Sequence, residues 1–209
     1  MQLITRWWWI RHGPTNASDS LMVGQTDLPA SLVGCEHALS RLVAYLPTRP
    51  VWVVSPMRRA RETVAALVAA GTTRSPELIE QSFTEQSYGA WDGMTYDAIA
   101  ERYPDQAEGL WFDPAATRPP EGETFVEVVD RVGQAIVTLN RSQRGRDIAV
   151  MAHSGTVRAA LAWALDMSPQ ACLRIQIGPL SLTRIDHVTA PDMEPQWSVE
   201  GINLIGLDD

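Results

Sequence analysis

Three short apolar runs constrain this chain more than any other feature: WWWI at Trp7 to Ile10, VWVVS at 51 to 55 and DIAVMAH at 147 to 153. Neighbouring residues of a strand point to opposite faces of a sheet, so a run apolar at successive positions predicts a strand covered on both sides. Helical patterns separate the runs. Leu32, Cys35, Leu39, Leu42, Val43 and Leu46 recur at helical spacing within 31 to 46, and Pro47 and Pro50 close that segment. An alanine-rich helix is predicted from Arg58 to Ala70, stopped by Gly71. Residues 95 to 112 read as one or two short helices broken at Pro104, and 113 to 123 as a proline-rich loop. Thr124 and Glu127 have the spacing of a capping box for a helix that reaches Asn140. The third run passes through Ser154-Gly155 into the helix TVRAALAWAL. The tail, LRIQIGPLSLTRIDHV and WSVEGINLIG, alternates as two or three strands with at least one at an edge. Strands alternating with helices make an α/β fold, here a three-layer α/β/α sandwich with a mostly parallel central sheet.

No Gly/Ser linker or low-complexity stretch divides the 209 residues, which predicts one domain over 1–209. A net charge of -8 argues against a broad nucleic-acid or membrane-surface footprint, and leaves room for a small anion held by a few arginines in one cleft. Cys35 and Cys172 have no metal-ligand spacing and read as reduced thiols, which favours the cytoplasm. The run from Trp7 to Ile10 is too short for a signal-peptide core, and no other run approaches the length of a membrane span. The same tryptophans read as core and not as a base-stacking platform, because no basic alternation accompanies them.

In a sheet of this kind ligands bind beyond the carboxyl ends of the strands. The three expected strands end in Arg11-His12-Gly13, in Ser55-Pro56 ahead of Arg58, Arg59 and Arg61, and in His153-Ser154-Gly155. Convergence would place two imidazoles and at least two guanidiniums in one crevice, a set suited to a phosphate ester. One neutral imidazole attacks phosphorus, while the other and the guanidiniums bind the oxygens whose charge must be stabilised. The cations also lower the histidine pKa, keeping the attacking nitrogen unprotonated. Glu85, in FTEQSYGAWDG, is the candidate proton donor, since a carboxylic acid beside a phosphate dianion has its pKa raised. Amides opening the helix at Ser154-Gly155 can also face a phosphate. Trp91 and Trp111 are expected in loops beside the cleft, where lining of the leaving-group site and buried packing are equally open. His37 and His187 stand in no motif and read as structural.

Four motifs in order resemble the histidine phosphatase superfamily, the phosphoglycerate mutase-like fold: Arg11-His12-Gly13-Pro14-Thr15, SPMRRARET from Ser55 to Thr63, Glu85 with GAWDG from Gly89 to Gly93, and Ala152-His153-Ser154-Gly155. The resemblance implies that His12 is the phosphorylated nucleophile, that Arg11, Arg59 and His153 form the phosphate pocket, and that Glu85 is the proton donor. Thr15, Asn16 and Ser154 are further substrate contacts on the same basis, and Arg58 and Arg61 are peripheral. The chain is most similar to the small bacterial branch that includes α-ribazole phosphatase, through GQTDLP, YGAWDG, Trp111-Phe112-Asp113-Pro114 and PPEGET. It departs from the family in Pro14, in Asn16 directly after Thr15, and in PPEGET where that branch has PPGGES.

The resemblance implies a cytoplasmic phosphomonoesterase that needs no metal or cofactor and acts on a small phosphorylated metabolite, such as α-ribazole 5′-phosphate in cobalamin biosynthesis. A lid is expected around 85 to 123, and a homodimer through an edge strand of the tail. Three alternatives stay open: a mutase-type phosphotransferase, a metal-dependent hydrolase (although no H-E-x-x-H spacing is present), and a catalytically silent member that binds a phosphorylated ligand.

Overall fold

The computed structural model describes residues 2–18, 20–73 and 75–206. The first apolar run lies in β1, Leu3–Arg11, whose alternation explains three consecutive tryptophans. Trp7 and Trp9 stack on one face, with ring centroids 5.6 Å apart, and the edge of Phe83 closes over Trp9 at 5.0 Å. Trp8 points to the other face, where the Arg184 guanidinium covers its ring at 4.7 Å.

Two further expected strands form as β2, Val51–Val54, and, much later in the chain, Asp147–Ala152. Between β1 and β2 the helix is shorter than its spacing predicts: α1 runs only over Glu36–Tyr45. Gly34 takes a left-handed φ of 83°, which no helix continues through, so Leu32 and Val33 stay outside. Helix α2, Arg58–Ala69, follows β2 and ends before Gly71 at φ 119°. A three-residue strand, β3 (Glu77–Ile79), carried no sequence signal, since all three residues are exposed at the sheet edge.

The segment expected as a lid contains a 3₁₀ turn at Gly89–Trp91 and two helices, α3 (Tyr96–Arg102) and α4 (Pro104–Phe112). The break falls where Pro104 predicts it, with the proline in the first turn of α4. This excursion has its own small core of Met22, Trp91, Ile99 and Ala107. Trp111 therefore lies on the last turn of a helix, not in a loop. Helix α5, Phe125–Ser142, opens with the Thr124/Glu127 capping box in both directions.

Strand β4, Asp147–Ala152, leads into α6, Ser154–Ala164, with His153 as its N-cap residue. A short α7, Pro169–Cys172, precedes the tail. Only two strands form there, β5 (Leu182–Ala190) and β6 (Met193–Gly201). Residues 173 to 181 stay out of the sheet, with Leu180 at a left-handed φ of 56°.

The sheet order is β3-β2-β4-β1-β5-β6. The first four strands are mutually parallel, β5 is antiparallel to β1, and β6, antiparallel in turn to β5, forms an edge. Helices α5 and α6 cover the Trp7 and Trp9 face; α1 and α2 cover the face of Ile10 and Trp52. The result is the expected three-layer sandwich. The carboxyl ends of β1, β2 and β4 lie side by side, which puts His12, Ser55 and His153 at one place.

Candidate active site

His12 follows the last residue of β1 and is 7% exposed. Its Nδ1 lies 2.6 Å from the Gly13 carbonyl, an atom that can only accept, so Nδ1 carries the proton and Nε2 presents its lone pair. That lone pair accepts from Arg59 Nε–H at 3.1 Å. Burial first, and then the charges of Arg59 and Arg11, hold the His12 pKa down to about 3. Nε2 is thus unprotonated near neutrality as expected, although burial contributes more than the cations.

Arg59 is 2% exposed and rigidly held. Its two terminal nitrogens donate to the carbonyls of Gly24 at 2.8 Å and Thr26 at 2.9 Å. Those residues are in turn clamped by Asp92 of the GAWDG motif, whose carboxylate accepts from the amides of Gly24 and Thr26, each at 2.9 Å. Thr63 completes the frame: its hydroxyl donates to the Arg59 carbonyl at 2.7 Å and accepts from the Gly13 amide at 3.0 Å. Helix α2 is thereby tied to the end of β1. Arg58 and Arg61 are exposed, as a peripheral role requires.

His153 is fully buried, with its ring centroid 5.0 Å from that of His12. Its Nε2 lies 2.7 Å from Ser55 Oγ, and its Nδ1 is a buried polar atom with no partner among the described residues. With the serine hydroxyl as donor, the neutral ring carries its proton on Nδ1. Burial first, then the charges of His12, Arg59, Arg11 and Arg131, push the His153 pKa well below its ordinary value. Arg11 donates from Nη1 to the Ile177 carbonyl at 2.6 Å, and its charge reaches both histidines.

Glu85 is 7% exposed, and its side chain sits against the start of α6. Oε1 accepts from the Gln86 amide at 2.9 Å, and Oε2 takes longer bonds from the Ser154 hydroxyl at 3.4 Å and the Gly155 amide at 3.3 Å. The Gly155 N–H expected to face a phosphate therefore serves the acid instead. A Cβ at Gly155 would stand 2.3 Å from Glu85 Oε1, so only glycine lets the carboxyl lie this close. Thr15 is half-buried and Asn16 exposed on the loop beyond Gly13, and neither side chain bonds another described residue. The fold thus gathers His12, Arg11, Arg59, His153, Glu85 and Ser154, and leaves Thr15 and Asn16 on the following loop.

A brace behind Glu85 was not foreseen from the sequence. Arg131 of α5 donates to both carboxylate oxygens of Glu123 at 2.9 Å, to the Ser82 carbonyl at 2.6 Å and to the Glu85 carbonyl at 3.3 Å. Glu123 also accepts from the Ser87 amide at 2.9 Å, and the Glu85 carbonyl accepts from Gln25 Nε2 at 3.0 Å. The available signal was an arginine set beside the apolar positions Val128 and Val132 of a helix, eight residues after an acidic loop end.

Residues 7–193 match the model of the histidine phosphatase superfamily, branch 1. The bifunctional protein Rv2228c of Mycobacterium tuberculosis is 27% identical over 182 residues, which are 86% of this chain and 49% of that protein. The chain thus spans about half the length of that relative. The glucosyl-3-phosphoglycerate phosphatase of Mycolicibacterium vanbaalenii is 30% identical over 167 residues, 76% of this chain and 73% of its own. In fold, the α-ribazole phosphatase of Shigella flexneri superposes with a TM-score of 0.79 at 21% identity, covering 95% of this chain and 96% of the other. No helix of the described residues is long and apolar enough to cross a membrane. The family model reaches across both histidines and the acid between them, and on it the chain belongs to the histidine phosphatase superfamily.

Proposed function

We propose that the chain is a metal-independent cytoplasmic phosphomonoesterase that hydrolyses a small phosphorylated metabolite through a phosphohistidine at His12. One observation carries the reading: a neutral imidazole whose Nδ1 is locked on the Gly13 carbonyl and whose Nε2 lone pair faces the Arg59 guanidinium. A lone pair beside a buried cation is where a phosphoryl group would be both attracted and attacked.

In the first step His12 Nε2 forms a bond to phosphorus as the ester P–O bond breaks. Arg59 Nε–H, released from Nε2, moves to a phosphoryl oxygen, with Arg11 and His153 Nδ1–H on the others. Glu85, as the acid, gives its proton to the departing alkoxide. The imidazole Nδ1–H stays on the Gly13 carbonyl and supports the positive ring. In the second step Glu85, now a carboxylate, takes a proton from water as its oxygen attacks phosphorus. The P–N bond breaks, and inorganic phosphate leaves His12 neutral.

α-Ribazole 5′-phosphate and glucosyl-3-phosphoglycerate head the substrate panel, since relatives of this chain carry those names. The test is inorganic phosphate release in EDTA by wild type and His12→Ala, over these two, 3-phosphoglycerate, sugar phosphates and nucleotides. Release lost in the folded variant is expected. Turnover that EDTA abolishes and Zn²⁺ or Mg²⁺ restores would refute the mechanism, and release retained by His12→Ala would refute the nucleophile.

A further inference from the structure

A cavity of about 540 Å³ is lined by residues that follow Glu85 in the chain and by residues of α4 and α6. Gln86 and Tyr88, one and three residues after Glu85, line it, and so does Arg158. Arg158 lies four positions beyond Ser154 on the same face of α6, about 6 Å up the helix axis. Burial first raises the pKa of the Tyr88 phenol; the Glu85 carboxylate raises it further and Arg158 opposes, so Tyr88 lies within reach of both charges. The cavity is therefore lined by neighbours of Glu85, the proposed proton donor to an ester's departing alcohol.

Resting on the proposed reaction, we infer that this alcohol carries a second anionic group, bound by Arg158 and Arg174 beside an apolar wall of Trp111 and Phe112. These two arginines are the only charged residues among the described lining of the cavity, in a chain of net charge -8. Neither forms an ion pair with a described acidic residue. Arg158 Nε donates to the Ile175 carbonyl at 2.7 Å, which fixes the guanidinium and leaves its two terminal nitrogens for a ligand. Trp91 lines the same cavity, fully buried, with an indole N–H that has no partner among the described residues. Trp111 and Phe112 stand 88% and 81% exposed at the end of α4, a pair of large aromatics that a soluble surface rarely shows without a use.

The test is a matched pair of esters whose phenols have nearly equal acidity, para-(carboxymethyl)phenyl phosphate and para-ethylphenyl phosphate. Wild type is expected to prefer the carboxylate ester in kcat/KM by about tenfold or more, the worth of one charge-assisted hydrogen bond. Arg158→Gln and Arg174→Gln should each reduce that ratio about tenfold. Arg174 is exposed and its side chain makes no hydrogen bond to a described residue, so its variant carries the test if Arg158→Gln does not fold. No preference in wild type, or an unchanged ratio in the folded variants, overturns the inference. If neither ester releases phosphate, the hydrolase reading fails on its own. The cavity is then read by calorimetric binding of para-(carboxymethyl)benzylphosphonate against para-ethylbenzylphosphonate, where equal affinities overturn it and a preference abolished by Arg174→Gln sustains it.

Discussion

Replacing Arg131 by methionine should loosen Glu85 while removing from His153 only a charge and no hydrogen bond. Arg131 and Glu123 form a two-pronged pair with side chains 23% and 19% exposed, and the same guanidinium satisfies the carbonyls of Ser82 and Glu85. Removing one partner of a fully buried pair costs about 3–5 kcal/mol. With a fifth of each side chain in solvent, and the Ser82 carbonyl losing its donor while that of Glu85 keeps Gln25, the expected cost is about 2–3 kcal/mol. For a domain of this size that lowers Tm by about 4–12 °C. Arg131→Lys keeps the charge but not the planar fork and should fall between. Thermal unfolding followed by circular dichroism gives the first number; the second readout is kinetic. A loosened Glu85 should slow alkyl phosphates more than para-nitrophenyl phosphate, whose leaving group needs little protonation. A Tm within about 2 °C of wild type, with unchanged leaving-group dependence, would refute the brace.

Gly155→Ala should act on the same acid from the other side: its Cβ would meet Glu85 Oε1 at 2.3 Å, so the carboxyl must swing away. Because that atom is the end of a flexible side chain, we expect kcat to fall by about tenfold or more with little change in Tm, and equal kcat values would contradict the seating of Glu85. Stability should also depend on pH through His12. Its folded pKa of about 3 lies below the ordinary 6.5, so between these values the unfolded chain binds a proton that the folded one does not. Stability should therefore fall as pH drops through that window, by up to about 1.4 kcal/mol per pH unit from this group, with His153 acting in the same direction. Urea denaturation of wild type and His12→Asn between about pH 4.5 and pH 6.5 should show a shallower slope in the variant, and equal slopes would show that His12 is not held neutral.

The features of the fold and site that were legible in the sequence are those with local causes. Trp7 to Ile10 announces a doubly covered strand, Thr124 and Glu127 fix the start of α5, and Pro104 separates α3 from α4, each through its own backbone or side-chain chemistry. The strand ends carried His12 and His153 into one crevice because the sheet is parallel there. What stayed hidden depends on tertiary placement. Three exposed residues become β3 only by pairing with β2, and α1 starts late because Gly34 turns left-handed. The Asp92 clamp on the carbonyl loop that holds Arg59 joins residues 66 and 68 positions apart, and the Arg131 brace reaches back 46 residues to Glu85. Such long-range bonds leave no period or spacing in the chain.

The proposed mechanism requires a phosphoryl group on His12, where it can be trapped. Wild type mixed with a turned-over phosphomonoester should be quenched in alkali within the first turnover and mapped by mass spectrometry. An acid-labile, alkali-stable phosphate is expected on His12, formed in EDTA and absent from His12→Ala. Steady turnover with phosphate on another residue, or with no phosphoenzyme at any time point, would contradict it.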